Sequence, residues 1–355
     1  MGTLTRSERQ LAWVFDLNKC IGCQTCSVAC KVHWLGEDPA THPMWWMTVN
    51  TQPGRGMPRD WQTMGGGYDV DGRLKPGREP TAAEIGGGLD FNYDEVLRGG
   101  HGRDVHLRAN SGNPGWGMNW DEDEGGGKYP NSYYFYLPRL CAHCTHPACV
   151  EACPNDAIFK RNEDGIVLID ETRCLGARSC IPACPYKKIF FNPEREVAQK
   201  CIGCFPRIEH GVAPVCVRSC PGRAAFIGFL DDEHSPVHKL VRRWKVALPL
   251  HPESGVESNV YYVPPLAPAP LFADGRPNAT GDRIPPAYLE SLFGPAVHTA
   301  LATLKAELDK RRSGDDSSEL LDTLILYHWK DALGHLHRDP ADIDWTSEPT
   351  KGDCP

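Results

Sequence analysis

Apolar residues along this chain fall in short runs, separated by polar stretches rich in glycine and proline. Leu11 to Asp16 (LAWVFD) is apolar almost throughout, which predicts a short buried strand. Tyr133 to Leu137 (YYFYL) predicts another. Ala157 to Lys160 and Ile166 to Asp170 flank Asn162-Glu163-Asp164-Gly165, a hairpin signal. Lys188 to Phe191 and Ala224 to Phe229 are further strand candidates. After Phe229 the period lengthens. Ser235-Pro236 forms a helix start, and Val237, Leu240, Val241 and Trp244 follow at helical spacing. Pro264 to Pro270 is a proline-rich crossing. Val297, Leu301, Leu304 and Leu308 mark a second amphipathic helix, and Leu320, Leu321, Leu324, Ile325 and Tyr327 a third. Such stripes are core faces or partner faces.

Cysteine changes the picture most. The chain has 16, and fifteen form four clusters. The first is Cys20, Cys23, Cys26 and Cys30; the second is Cys141, Cys144, Cys149 and Cys153. The third is Cys174, Cys180 and Cys184; the fourth is Cys201, Cys204, Cys216 and Cys220. Proline follows the last cysteine of the second, third and fourth runs. The first run has the spacing of bacterial ferredoxins, with Lys31 in the place of the usual proline. Two-residue gaps curl a loop around a cubane, so three thiolates reach three irons. The fourth cysteine points away and ligates the other cluster of a pair. Zinc competes for any single C-x-x-C, but four tandem runs of this form fit iron–sulfur clusters better than zinc or disulfides. Cys354, in the terminal KGDCP, is the spare.

Fifteen ligands divide into three sets of four and one of three, because Ala177 stands where the third run would carry its second cysteine. A 3Fe-4S cluster needs only three thiolates; a 4Fe-4S cluster completed by water or a non-cysteine ligand is the alternative. The second and third runs are neighbours and should pair, which leaves the first to pair with the fourth. Crossing the last cysteines gives Cys20, Cys23, Cys26 and Cys220 for one 4Fe-4S cluster. Cys30, Cys201, Cys204 and Cys216 hold the second. Cys141, Cys144, Cys149 and Cys184 hold the third. Cys153, Cys174 and Cys180 hold the 3Fe-4S cluster. The expected fold is α+β. Residues 11–35 with 195–230 form one ferredoxin-like unit nested around a second at 131–194. A helical extension occupies 231–355.

Residues 36–130 interrupt the first unit. They hold 20 of the 35 glycines and five of the ten tryptophans: Trp45, Trp46, Trp61, Trp116 and Trp120. Glycine alone would suggest a linker, but large aromatics are anchors. The segment is read as docking on a partner subunit or as a lid on this chain. No P-loop or Rossmann fingerprint accompanies the glycines.

The rest is mainly exclusion. The 46 acidic against 38 basic residues give a net charge of −8, which disfavours nucleic acid or an anionic membrane as partner. No apolar run reaches the ~18 residues of a membrane span. His143 and His146 lie inside the second run, but its cysteines already saturate a cluster, so they read as loop residues. Lys19, Lys31, Arg178, Lys187, Lys188 and Lys200 flank ligands. They either favour the reduced clusters or are ordinary surface charge. No catalytic motif is present, so the chain reads as an electron carrier.

FDLNKCIGCQTCSVACK, LPRLCAHCTHPACVEACPNDAI and KCIGCFPRIEHGVAPVC resemble the iron–sulfur beta subunits of the dimethyl-sulfoxide-reductase family of molybdenum enzymes. The missing cysteine of the third run matches the nitrate-reductase-like (type II) branch. NWDEDEGGGKYPNSYYFYLPR, SPVHKLVRRWKVALPLHPE and VYYVPP look most like ethylbenzene dehydrogenase beta subunits. The resemblance implies an alpha subunit with a molybdenum bis-pyranopterin cofactor and a gamma partner, often with haem b. Electrons would enter near Cys20 and leave near Cys174. It also covers nitrate, selenate, chlorate, perchlorate and dimethyl-sulfide enzymes. A freestanding polyferredoxin is the competing reading; the long insertion and C-terminal part favour a dedicated complex. The polar start, MGTLTRSERQ, carries no signal peptide. The expected location is therefore the periplasm, by co-export with a signal-bearing alpha subunit, or else the cytoplasm.

Overall fold

The computed structural model describes residues 9–36, 39–41, 43–81, 84–85 and 125–347. Trp116, Trp120 and Cys354 lie outside the described residues.

β1 (Leu11–Asp16) is the centre of the molecule, and all six of its residues are buried. Leu11, Trp13 and Phe15 enter one apolar core and Ala12 and Val14 another. Burial on both faces is why the run does not alternate with polar residues. α1 (Thr25–Trp34) follows the first cysteine loop. β2 (Thr48–Gln52) lies in the insertion and pairs antiparallel with β3 (Phe135–Arg139), Thr48 opposite Arg139. The second run leads into the single turn α2 (Ala148–Glu151). β4 (Ile158–Lys160) and β5 (Val167–Ile169) form the expected hairpin. A second turn, α3 (Cys180–Ala183), precedes another hairpin, β6 (Ile189–Asn192) with β7 (Val197–Lys200). Turns α4 (Phe205–Ile208) and α5 (Val215–Arg218) belong to the fourth run.

β8 (Ala225–Phe229) returns to pair antiparallel with β1, Ile227 opposite Trp13. On its other edge β1 pairs parallel with β10 (Val260–Val263), and the short β9 (Leu248–Pro249) completes the order β8-β1-β10-β9. The first and fourth cysteine runs therefore share one sheet, and α1 packs on α5. The hairpins between them stand as separate two-stranded sheets.

The described part of the insertion is anchored within this chain. Trp45, Trp46 and Trp61 are buried, and the Arg139 guanidinium lies 3.8 Å over the Trp61 ring. Tyr68 stacks on His146 at 4.2 Å and donates to Glu151 at 3.0 Å. The Gly67 N–H donates to Ala183 O at 2.9 Å, and Lys187 Nζ bridges Gly65 O at 2.9 Å and Pro182 O at 2.7 Å. These three tryptophans help fasten the described part of the segment to the ferredoxin elements.

In the C-terminal part, the Ser235 hydroxyl accepts from the Val237 N–H at 3.2 Å and caps α6 (Pro236–His238). The helix does not continue as α; residues Lys239–Arg243 widen to π, with Val237 and Leu240 fully buried. α7 (Pro286–Phe293) and α8 (Ala296–Arg312) follow. Val297 and Leu304 of the expected stripe are buried; Leu301 and Leu308 are only partly so. α9 (Glu319–Ile325) buries Leu320, Leu321 and Leu324. Ile325 and Tyr327 do not belong to that face: Ile325 ends the helix on its exposed side, and Tyr327 lies beyond the left-handed Leu326 that stops it. No helix among the described residues is long and apolar enough to cross a membrane.

Candidate iron–sulfur sites

None of the fifteen motif cysteines is in a disulfide, and only Cys23 is exposed. Burial first, then the charges of Cys220 and Cys23, push Cys20 up to about 11. Burial, then Cys20, Cys220 and Cys23, push Cys26 up to about 12. Cys20, Cys23, Cys26 and Cys220 line one cavity, with Cys216 also on its wall.

Cys30 behaves differently from its neighbours in the first run. Burial raises its thiol far above the ordinary range, and the next causes are Cys201 and Cys204. Cys216, also raised well above by burial, feels Cys204, Cys30 and Cys201. These four thiols line a second cavity. Burial raises Cys144 and Cys149 strongly, and both then feel Cys141 and Cys184. Burial pushes Cys180 to about 12, with Cys153 and Cys174 the next causes. The structure thus brings Cys220 to the first run, Cys30 to the fourth, Cys184 to the second and Cys153 to the third.

The groups also adjoin one another in series. Cys30 and Cys216 feel Cys26, Cys201 feels Cys141, and Cys180 feels Cys184.

The sulfurs are supplied with donors. Ala157 N–H points at Cys153 Sγ and Ala224 N–H at Cys220 Sγ, each at 3.4 Å. Both alanines come four residues after the cysteine of a Cys-Pro pair, so the turn that proline starts returns an N–H to the thiol. Ala198 N–H lies 3.4 Å from Cys174 Sγ and Gly203 N–H 3.4 Å from Cys201 Sγ. The Trp34 indole N–H donates to Cys204 Sγ at 3.1 Å.

Three lysines beside the motif cysteines are not surface charge. Lys187, Lys188 and Lys200 are buried. Lys188 donates to Thr48 Oγ1 at 2.8 Å; burial and then Arg139 hold its pKa far down, opposed by Cys201, Cys30 and Cys184. Burial lowers Lys187 to about 8, against the pull of Cys184. Lys200 donates to Val167 O and Cys201 O. Lys19 donates to Leu324 O, and Lys31 to Met44 O. Arg178, by contrast, is exposed and pairs with Glu79.

Sequence reasoning missed Lys160. Its Nζ donates to Gln10 Oε1, His143 O, Cys144 O and Gly165 O, and burial lowers it to about 8. The only signal was its place at the end of the hairpin strand facing the second run. His143 is a loop residue, as expected, but a fully buried one. It stacks on Trp13 at 5.4 Å and accepts the Val167 N–H at Nδ1, so Nε2 carries the proton.

Soft thiolates in groups, met by N–H donors aimed at sulfur, fit iron–sulfur clusters. Among the described residues no three His, Cys, Asp or Glu side chains converge on a single-ion site. A family model described as a 4Fe-4S dicluster domain matches residues 132–229. The chain is 54% identical to the dimethylsulfide dehydrogenase beta subunit of Rhodovulum sulfidophilum, over 90% of this chain and 97% of the relative. It is 53% identical to the chlorate reductase beta subunit of Ideonella dechloratans and 52% to the selenate reductase beta subunit of Thauera selenatis, each over 92% of this chain and 99% of the relative. The chain belongs to the electron-transferring iron–sulfur beta subunits of dimethyl-sulfoxide-reductase-family molybdenum oxidoreductases.

Proposed function

We propose that this beta subunit holds three 4Fe-4S clusters and one 3Fe-4S cluster in series. In that reading Cys20, Cys23, Cys26 and Cys220 hold the first. Cys30, Cys201, Cys204 and Cys216 hold the second, and Cys141, Cys144, Cys149 and Cys184 the third. Cys153, Cys174 and Cys180 hold the three-iron cluster. Such clusters, when bound, take up and release single electrons. The chain's own part is to hold thiolates at fixed spacing, exclude water and supply N–H donors and buried ammonium groups that favour the reduced state.

The observation that carries the reading is the place of Cys30, a member of the first run, in one cavity with Cys201, Cys204 and Cys216 of the fourth. The pairs Cys26–Cys30, Cys141–Cys201 and Cys180–Cys184 support a single series. At its two ends the surface carries exposed apolar residues where a partner would sit: Ile21 beside the first set, Leu175 beside Cys174. The series then runs between a molybdenum-bearing alpha subunit and a haem b or other acceptor subunit. The beta subunit reaches the periplasm with an alpha subunit that carries the export signal. Relatives acting on dimethylsulfide, chlorate and selenate stand at 52–54% identity, so the substrate is set elsewhere and no preference for ethylbenzene follows.

Ala177→Cys tests the assignment. It should replace the three-iron electron paramagnetic resonance signal of the complex with a fourth 4Fe-4S signal. A native complex with no three-iron signal, or a variant whose spectrum does not change, refutes it.

A further inference from the structure

The cavity shared by Cys30, Cys201, Cys204 and Cys216 is walled by three indoles: Trp13, Trp34 and Trp46. Trp34 already donates to a ligand sulfur, Cys204 Sγ, at 3.1 Å. Trp13 and Trp46 are buried, yet neither indole N–H has an acceptor. An indole nitrogen can only donate, and buried donors without partners are rare enough to need a cause. Trp13 is not free to turn away. Its backbone is locked between Val260 and Ile227, and its ring is stacked on His143. What this cavity is built to contain is sulfur: four thiolates, and the sulfides of whatever they hold. The neighbouring cavity of Cys20, Cys23, Cys26 and Cys220 has no indole among its lining residues.

We propose that Trp13 and Trp46, together with Trp34, form a cage of indole N–H donors to the sulfurs of the second 4Fe-4S cluster and hold up its reduction potential. The inference rests on the assignment of that cluster to Cys30, Cys201, Cys204 and Cys216. Each N–H···S bond strengthens as the sulfur gains negative charge, so the reduced form gains more than the oxidised form. The cage also excludes water, which makes the few donors present count for more.

The test is a redox titration of the intact complex, followed by electron paramagnetic resonance. Trp13→Phe, Trp46→Phe and Trp34→Phe each keep an aromatic ring and remove one donor. Each should lower the midpoint of a single 4Fe-4S component, the same one in all three. The expected size is about tenfold in the reduced-to-oxidised ratio, about 59 mV for a one-electron couple. Unchanged midpoints, or equal shifts of every cluster, overturn the proposal. If a variant does not assemble, the unmodified complex carries the test. With 15N-indole tryptophan, electron–nuclear double resonance on the reduced component should detect more than one coupled indole nitrogen; one or none overturns the cage. Cys204→Ser separates the two levels. If it alters no cluster signal, the cluster assignment fails and the cage with it. If it alters one signal that the tryptophan variants leave alone, only the cage fails.

Discussion

Gly77→Ala is the sharpest test of how the insertion meets the cysteine core. A Cβ at this position would lie 2.2 Å from Pro182 O and 2.9 Å from Gly66 N, both backbone atoms. Neither can swing aside as a side chain would, so the two segments must separate by roughly 1 Å to regain ordinary contact. Pro182 is in α3, between Cys180 and Cys184, so separation moves the turn that presents both thiols. It also stretches the Gly67–Ala183 hydrogen bond and the Lys187 bridge to Gly65. Overpacking costs about 1–3 kcal/mol, a neutral hydrogen bond about 1 kcal/mol and a charged one about 1.5–3 kcal/mol. The total is about 3.5–7 kcal/mol if all give way, a large share of the ~5–15 kcal/mol that stabilises a typical domain. Gly72→Ala is the control. Gly72 has φ +74° with nothing within 4 Å, so only backbone strain of about 1–2 kcal/mol follows. The assay is denaturant unfolding of the complex together with the three-iron resonance proposed above. Gly77→Ala should lose stability and broaden or diminish that signal, while Gly72→Ala loses less and leaves the signal intact. A Gly77→Ala protein with native stability and spectrum refutes the close packing described here, as does a Gly72→Ala protein whose cluster is equally disturbed.

Lys188→Met removes a buried Nζ donor that faces Cys201, Cys30 and Cys184. It should lower the potentials of the clusters on both sides by an amount on the order of 1–3 kcal/mol, read by redox titration; unchanged or raised potentials contradict it. Lys160 supplies a pH dependence. Its pKa is lowered to about 8 by burial, so its positive charge is present below that pH and is lost as pH rises through it. Loss of the charge disfavours reduction, so the potential of the cluster beside Cys144 should fall from about pH 8 upward. In Lys160→Met it should be low and flat, and a slope retained in that variant assigns the effect to another group. Removal of iron under oxidising, chelating conditions should speed amide exchange through α2 to β7, where single-turn helices cannot stand alone. α7 and α8 should keep their protection, and equal loss everywhere would show that the clusters are not the local core.

The cysteine runs were legible because ligand chemistry demands fixed residues at fixed spacing. LAWVFD and the hairpin around Asn162 to Gly165 were legible because their patterns are local. What stayed hidden depends on distant partners. TVNTQ carries no alternation to mark it as β2; it is a strand because Phe135–Arg139 lies beside it. VYYV was quoted as a motif, yet its role as the parallel neighbour of β1 depends on an edge left open far upstream. Lys187, Lys188 and Lys200 look like any other basic residues in sequence, and only the carbonyls and hydroxyl around them reveal burial. Helical spacing alone extended the last stripe to Ile325 and Tyr327, because nothing in it announced a left-handed Leu326.

The position of β1 also sets a timetable for biosynthesis. It is synthesised before both strands that flank it, which lie some 200 or more positions later in the chain. At about 5–20 residues per second, LAWVFD waits on the order of ten to forty seconds for a partner on either edge. During that interval it is an apolar strand with two open edges, the kind of segment that joins wrong chains. The hairpins of the middle runs, whose strands are close in sequence, can form meanwhile. β1 thus waits for partners made much later than itself, and the nascent subunit needs shelter there until Phe229 and Val263 have emerged.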